Sequence, residues 1–166
     1  MTGPDRSELV ERLAELIDDV EIAMLTTRTA DGRLVSRPLR TQRVEPDGSL
    51  WFATSADSGK VAEIGQDPRV CLAYESPSKN TYVSVSGRAS VVDDRARIEA
   101  LWSAPMRIFF PEGKDDPRLR LIRVEPETVE YWDSPGSVLG KVLYLATAAA
   151  TGNPDALSEH ERVDLR

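Results

Sequence analysis

Histidine and cysteine are nearly absent from this chain: His160 and Cys71 are the only examples. A lone histidine, in the polar stretch "LSEHERVDLR", leaves no histidine cluster for a metal centre and disfavours a Ser-His-Asp triad. A lone cysteine excludes an intramolecular disulfide and suits a reducing cytoplasm. Its place in the apolar run "RVCLAY" suits an inert buried thiol. No apolar run approaches the ~20 residues of a membrane-spanning helix. The opening "MTGPDRSELVERL" lacks the basic-then-apolar order of a secretory signal, so the expected location is cytoplasmic. The formal charge of −7 disfavours nucleic acid as a partner, because such binding neutralises phosphates. Lysine is scarce, 4 against 17 arginines, which singles out each lysine. The GxGxxG of a dinucleotide fold is missing. "SGKV" (58–61) echoes a phosphate-binding P-loop but fails it, with Thr54 where glycine is needed and Val61 where serine or threonine is needed.

What is present is a run of short strands with few helices. Residues 5–20 form an amphipathic helix by the spacing of Leu9, Val10, Leu13, Leu16, Ile17 and Val20, with Asp5 and Glu8 as a capping box. Strands are expected at 21–27, 33–44, 49–55, 69–76 and 81–93. Two more, "RLRLIRVEP" and "ETVEYWDSP", close the series. Gly32 in "TADG" is a turn residue, Pro38 marks an open edge or a bulge, and Gly87 marks a bend or bulge. Residues 58–68 and 94–104 are expected as short helices, "PMRIFFPEGKDDP" as a loop or short helix, and 136–152 as a helix. The fold class is mainly β, a small barrel with flanking helices, in one domain over 1–152. A polar tail without fixed structure is expected over 153–166.

Residues 33–60 carry the chemistry. Arg37, Arg40 and Arg43 lie on one strand, and the next runs into Thr54, Ser55, Ser58, Gly59 and Lys60 where a helix begins. Hydroxyls, a helix start, a glycine that lets the backbone come close and a cation are what a phosphate needs. The same residues serve as an ordinary helix cap at Asp57 or Ser58 beside surface arginines, so both readings stay open on chemistry alone. The pairs Asp93-Asp94 and Asp115-Asp116 suit turns and caps, and no spaced partners make them a metal site. Trp51, Trp102 and Trp132 suit a core or an interface, and equally the wall of a planar cofactor.

The chain resembles the pyridoxamine-phosphate-oxidase-like FMN-binding split barrels, and within them the general stress protein branch. The resemblance is carried by "MLTT" (24–27), "DGRLVSRPL" (31–39), "LWFATSADSGK" (50–60), "DPRVCLAY" (67–74), "YVSVSGRASVVDD" (82–94), "ALW" (100–102), "FFPEGKDDPRL" (109–119) and "EYWD" (130–133), in that order. It implies a six-stranded split barrel that forms a homodimer, with flavin in grooves between the subunits. It implies that Arg37, Thr54, Ser58 and Lys60 meet the flavin phosphate. Pro38, Leu39 and Arg40 would run beside the ring, Trp51, Phe52, Ala53, Gly59 and Tyr82 would complete the pocket, and Trp132 would approach from the partner. The pattern departs from the oxidases at Gly59, Gln42 and Tyr82, and "WDSPGSVL" replaces their closing Arg-Leu segment. These departures point away from pyridoxamine phosphate oxidation. FMN is the expected cofactor, with FAD or the deazaflavin F420 as alternatives. The expected chemistry is hydride transfer with a small-molecule donor or acceptor and no identified catalytic side chain. The other reading is a flavin sensor or carrier without turnover.

Overall fold

The computed structural model describes residues 6–133 and 159–164. Among the described residues seven antiparallel strands and three α-helices follow in the order α1 Arg6–Asp18, β1 Ile22–Arg28, β2 Leu34–Val44, β3 Leu50–Ser55, α2 Gly59–Gln66, β4 Arg69–Ser76, β5 Thr81–Val92, α3 Arg95–Leu101, β6 Leu119–Asp133 and β7 Glu159–Asp164. Two 3-10 helices, Ala104–Ile108 and Gly113–Asp115, bridge α3 and β6. Strand order is β3-β2-β1-β4-β5-β6, and β3 also pairs with β6, which closes a six-stranded barrel. The expected cap of α1 at Asp5 and the expected helix at 136–152 lie outside the described residues. None of the described helices is long and apolar enough to cross a membrane.

Alternation builds the barrel. Along β5 the even positions Tyr82 and Ser86 are exposed while Val83 and Val85 are buried, so one face meets water and the other the core. Leu25, Phe52, Leu72, Val85 and Ile122 fill the interior, joined by Leu13, Leu16 and Ile17 of α1. Each such side chain contributes about 1.5–3 kcal/mol by leaving water. A second cluster lies on the outer face of β3 and β6. There Trp51, Leu119 and Leu121 pack against Ile98 and Leu101 of α3 and against Met106 and Phe110. Strand β3 is therefore covered on both sides. The acidic pairs act as caps: Asp94 accepts from the Arg97 N–H at 3.1 Å, and Asp116 from the Arg118 N–H at 2.9 Å.

Two irregularities shape the barrel. β2 and β3 pair only at Thr41, Arg43 and Val44, with Gln42 as the extra residue of a bulge. From Leu34 to Arg40, β2 pairs with β1 alone, so Pro38 does stand beside an open edge. The second bulge falls between Ser86 and Gly87 against Thr128 and Pro126 of β6. A Cβ on Gly87 would stand 2.3 Å from the Glu125 carbonyl oxygen, so only glycine fits there. Gly32 adopts φ +87° in its turn, as its sequence context predicts.

Two expectations are corrected. "RLRLIRVEP" and "ETVEYWDSP" form one strand, β6, because the bulge accommodates Pro126 without breaking the ladder. Part of the expected tail is strand β7, paired with Thr128–Asp133 of β6. β3 pairs with β6 only up to Val124, which leaves the later N–H and C=O groups of β6 open to another strand.

Candidate functional site

The gap where β2 leaves β3 is a cleft of about 720 Å³, within the usual range for small-molecule sites of about 300–1,000 Å³. Pro38, Leu39 and Arg40 of β2 wall one side, and Ala53 and Thr54 of β3 the other. Ser58 and Lys60 close the polar end at the start of α2. The 3-10 helix at 104–108 and the residues after it supply Met106, Ile108, Phe109 and Phe110 across the opening. Ser103, at the head of that helix, donates from Oγ to Gln42 Oε1 at 3.3 Å, which ties it to the β2 bulge. Ile108 and Phe109 are 78% and 77% exposed, so the lip of the cleft is apolar and open.

Thr54, Ser58 and Lys60 come together at the polar end. Lys60 Nζ donates to Ser58 Oγ at 2.6 Å and to Thr54 Oγ1 at 3.3 Å. Ser58 stands at the N-cap of α2 in extended backbone, yet its side chain makes no cap hydrogen bond. Its hydroxyl receives the ammonium, so the ordinary-cap reading does not describe it. Asp57 is not the cap either; it accepts from Ser55 Oγ. Burial lowers the Lys60 pKa, the nearby Arg37 guanidinium lowers it further, and Glu63 opposes both. Among the described residues no carboxylate lies within ion-pair distance of Lys60 Nζ. A partly desolvated cation beside two hydroxyls is an arrangement that an incoming anion relieves.

Arg37 stands one step behind. Its guanidinium pairs with Glu63 of α2, Nη2 to Oε2 at 2.8 Å, and donates to the buried Thr27 hydroxyl. Thr27 Oγ1 in turn donates to Glu63 Oε2 at 2.5 Å. That hydrogen bond holds the Glu63 carboxyl below its ordinary range against the cost of burial, and Arg37 and Lys60 reinforce it. Gly59 opens α2 beside Glu63. Arg40, on the cleft wall, pairs with Glu21 at 3.0 Å.

The other residues expected in the pocket lie elsewhere. Phe52 is fully buried in the barrel interior. Trp51 lies on the outer face of β3, under the guanidiniums of Arg97 and Arg123 at 4.8 and 5.8 Å from its ring, in a separate recess of about 660 Å³. Tyr82 and Trp132 are cross-strand neighbours on β5 and β6, and neither lines the cleft of its own chain; the expectation for Trp132 concerns the cleft of a partner. Sequence reasoning missed Met106, Ile108, Phe109, Phe110 and Arg118 as cleft residues. The available signal was two exposed apolar residues in "RIFF" inside an otherwise polar connection. Among the described residues no group of three metal-ligating side chains occurs.

Known proteins resemble this chain in sequence and fold. Protein bli-3 of Neurospora crassa is 28% identical over 160 residues, 90% of this chain and 77% of that protein. General stress protein 26 of Bacillus subtilis is 26% identical over 129 residues, 75% of this chain and 89% of that protein. The crystal structure of the general stress FMN/FAD binding protein of Xanthomonas citri superposes with a TM-score of 0.68 at 29% identity, covering 79% of this chain and 92% of that one. The profile of the family described as pyridoxamine 5'-phosphate oxidase like matches residues 8–155. With its closed six-stranded antiparallel barrel and the cleft between β2 and β3, this chain belongs to the pyridoxamine 5'-phosphate oxidase-like family.

Proposed function

We propose that this chain binds a flavin nucleotide, FMN foremost, in the cleft between β2 and β3, and serves an oxidoreductase reaction in the cytoplasm. The observation that carries this reading is the half-buried Lys60 ammonium, held by Ser58 and Thr54 at the polar end of a cleft whose lining is mainly apolar and also includes Arg40, Asp57 and Arg118. A phosphate there gains charge-assisted hydrogen bonds from Lys60 and the two hydroxyls. The similarity to the FMN/FAD binding protein of X. citri supports the same ligand. A bound flavin supplies the electron and hydride chemistry. The chain supplies placement. Leu39, Met106 and Phe110 give the cleft an apolar lining, and the open edge of β2 between Leu34 and Arg40 turns alternate backbone N–H and C=O groups toward the cleft. The same reading makes the protein a homodimer. Tyr82 and Trp132 sit away from their own cleft, and a second copy can bring that face, with cover for Ile108 and Phe109, to the exposed lip.

Titration of the purified protein with FMN, FAD, F420 and riboflavin, followed by absorbance and flavin fluorescence, tests this reading. FMN is expected to bind, and riboflavin at least about tenfold more weakly, because it lacks the phosphate that charge-assisted bonds hold. No uptake of any of them rejects the proposal, and the mass of the loaded protein by light scattering tests the dimer.

A pH series adds a second expected outcome. Lys60 loses its proton at a lower pH than an ordinary lysine, chiefly because it is buried. FMN affinity should therefore fall on the alkaline side before an ordinary lysine would titrate, while riboflavin affinity stays level. In the free protein the same shift has the opposite consequence for folding. Between the folded and the higher unfolded pKa of Lys60 the unfolded chain holds more protons, so this group's contribution to stability rises with pH.

A further inference from the structure

Glu63 brings a negative charge to the place where the cleft should be most positive. Its Oε2 takes hydrogen bonds from Thr27 and Arg37. Its Oε1 lies beside the first residue of α2, only 3.8 Å from where a Cβ on Gly59 would stand. The carboxylate thus sits against the opening turn of the helix, next to Ser58 and Lys60, and both it and the guanidinium it holds are mostly buried, at 17% and 21% exposed. Lys60 and Arg37 carry two positive charges, and Glu63 cancels one of them.

We propose that Glu63 is an internal counter-anion that sets the phosphate affinity of the cleft, by neutralising Arg37 and turning its guanidinium toward Thr27. The proposal rests on the reading of Thr54, Ser58 and Lys60 as the phosphate cradle. Glu63 is a positioning residue. It touches no ligand, and it acts by keeping Arg37 from adding its charge to that of Lys60. Thr27 completes the restraint, because its hydroxyl accepts from the guanidinium and donates to the carboxylate. The arrangement favours a phosphate group held loosely enough to exchange over one held permanently.

The charge count makes the idea testable with variants of the full chain: Glu63→Gln, Arg37→Met and the two combined. Net charge around the cradle rises by one in the first, falls by one in the second and returns to the starting value in the third. FMN and riboflavin are titrated against each protein at two salt concentrations. Glu63→Gln should bind FMN about tenfold more tightly, with a steeper salt dependence, and riboflavin as before, since one unit charge at close range is worth roughly a tenfold change. Arg37→Met should bind FMN about tenfold more weakly, and the double variant should return to within about threefold of the unaltered protein.

Outcomes separate cleanly. An unaltered protein that binds FMN no better than riboflavin removes the cradle, and the proposal with it. A clear FMN preference that Glu63→Gln leaves unchanged or weakens overturns the role of Glu63 alone. Equal changes for FMN and riboflavin mark Glu63 as a mere strut between α2 and the barrel, which also overturns it. If Glu63→Gln does not fold, the comparison of the double variant with Arg37→Met decides: equal FMN affinity in those two proteins overturns the proposal.

Discussion

If the cleft holds FMN as proposed, replacing Lys60 with methionine should weaken FMN binding by about one to two orders of magnitude and leave riboflavin binding nearly unchanged. The magnitude follows from what is lost, a charge-assisted contact worth about 1.5–3 kcal/mol, in a site with no second cation free to take its place. The other cations in or behind the cleft are already paired: Arg37 with Glu63 and Thr27, Arg40 with Glu21, and Arg118 with Asp116. Methionine keeps the length and apolar stem of lysine, so the cleft wall is preserved. It also removes a charge that burial disfavours, and the unliganded variant should be at least as stable as the parent. Fluorescence titration with both ligands checks this. A variant that loses FMN and riboflavin to the same extent has lost the shape of the cleft and not a phosphate contact, and the assignment of Lys60 then fails.

Gly87→Ala has the other large effect, on the fold. The added methyl would stand 2.3 Å from the Glu125 carbonyl oxygen, 3.0 Å from its carbonyl carbon and 3.1 Å from Pro126 Cα. All three are backbone atoms of the facing strand, so no side-chain rotation relieves the clash. Relief requires β5 and β6 to separate at their bulge, next to the end of the β3–β6 pairing that closes the barrel. Overpacking of this kind costs about 3 kcal/mol, the upper end of its usual range. In a chain of this size that lowers the thermal midpoint by roughly 10 °C. Gly65→Ala is the control, since nothing lies within 4 Å of the added methyl, and alanine is the better helix former in α2. Thermal unfolding followed by circular dichroism decides, and a midpoint for Gly87→Ala equal to that of Gly65→Ala refutes the close-approach argument.

The strands were legible because period-2 alternation and turn residues coincide. Gly32, Pro38 and Gly87 each occupy the kind of place their chemistry dictates: a positive-φ turn, an open edge and a bulge. Residues close in sequence and tied by local chemistry, such as Thr54, Ser58 and Lys60, were legible as one cluster. Other features depend on the closed barrel. In β3 both faces are buried, one by the interior and one by α3 and the 3-10 helix, so alternation does not reveal that Trp51 and Phe52 point away from the cleft. Pro126 resembles a strand terminator, and only the bulge opposite Gly87 lets β6 continue through it. The ion pair of Arg37 with Glu63 joins a strand to a helix across 26 residues, and nothing in the spacing predicts it. Strand β7 depends on an edge of β6 that exists only because the pairing with β3 ends at Val124 of β6.

The two walls of the cleft are under unequal constraint. Those from β2 and β3 are fixed by the ladder, where a substitution must respect both pairing and the barrel interior. The lip formed by Ile108 and Phe109 is held by local turns, with Phe109 N–H to Met106 O at 3.0 Å and Gly113 N–H to Phe110 O at 2.9 Å, and it pairs with no strand. Descent with modification can therefore rewrite the lip freely while the ladder stays put. A lineage that keeps Thr54, Ser58 and Lys60 can reshape the mouth of the cleft through the exposed Ile108 and Phe109 alone, with Met106 and Phe110 still packed beneath them, and its fold would record nothing of the change.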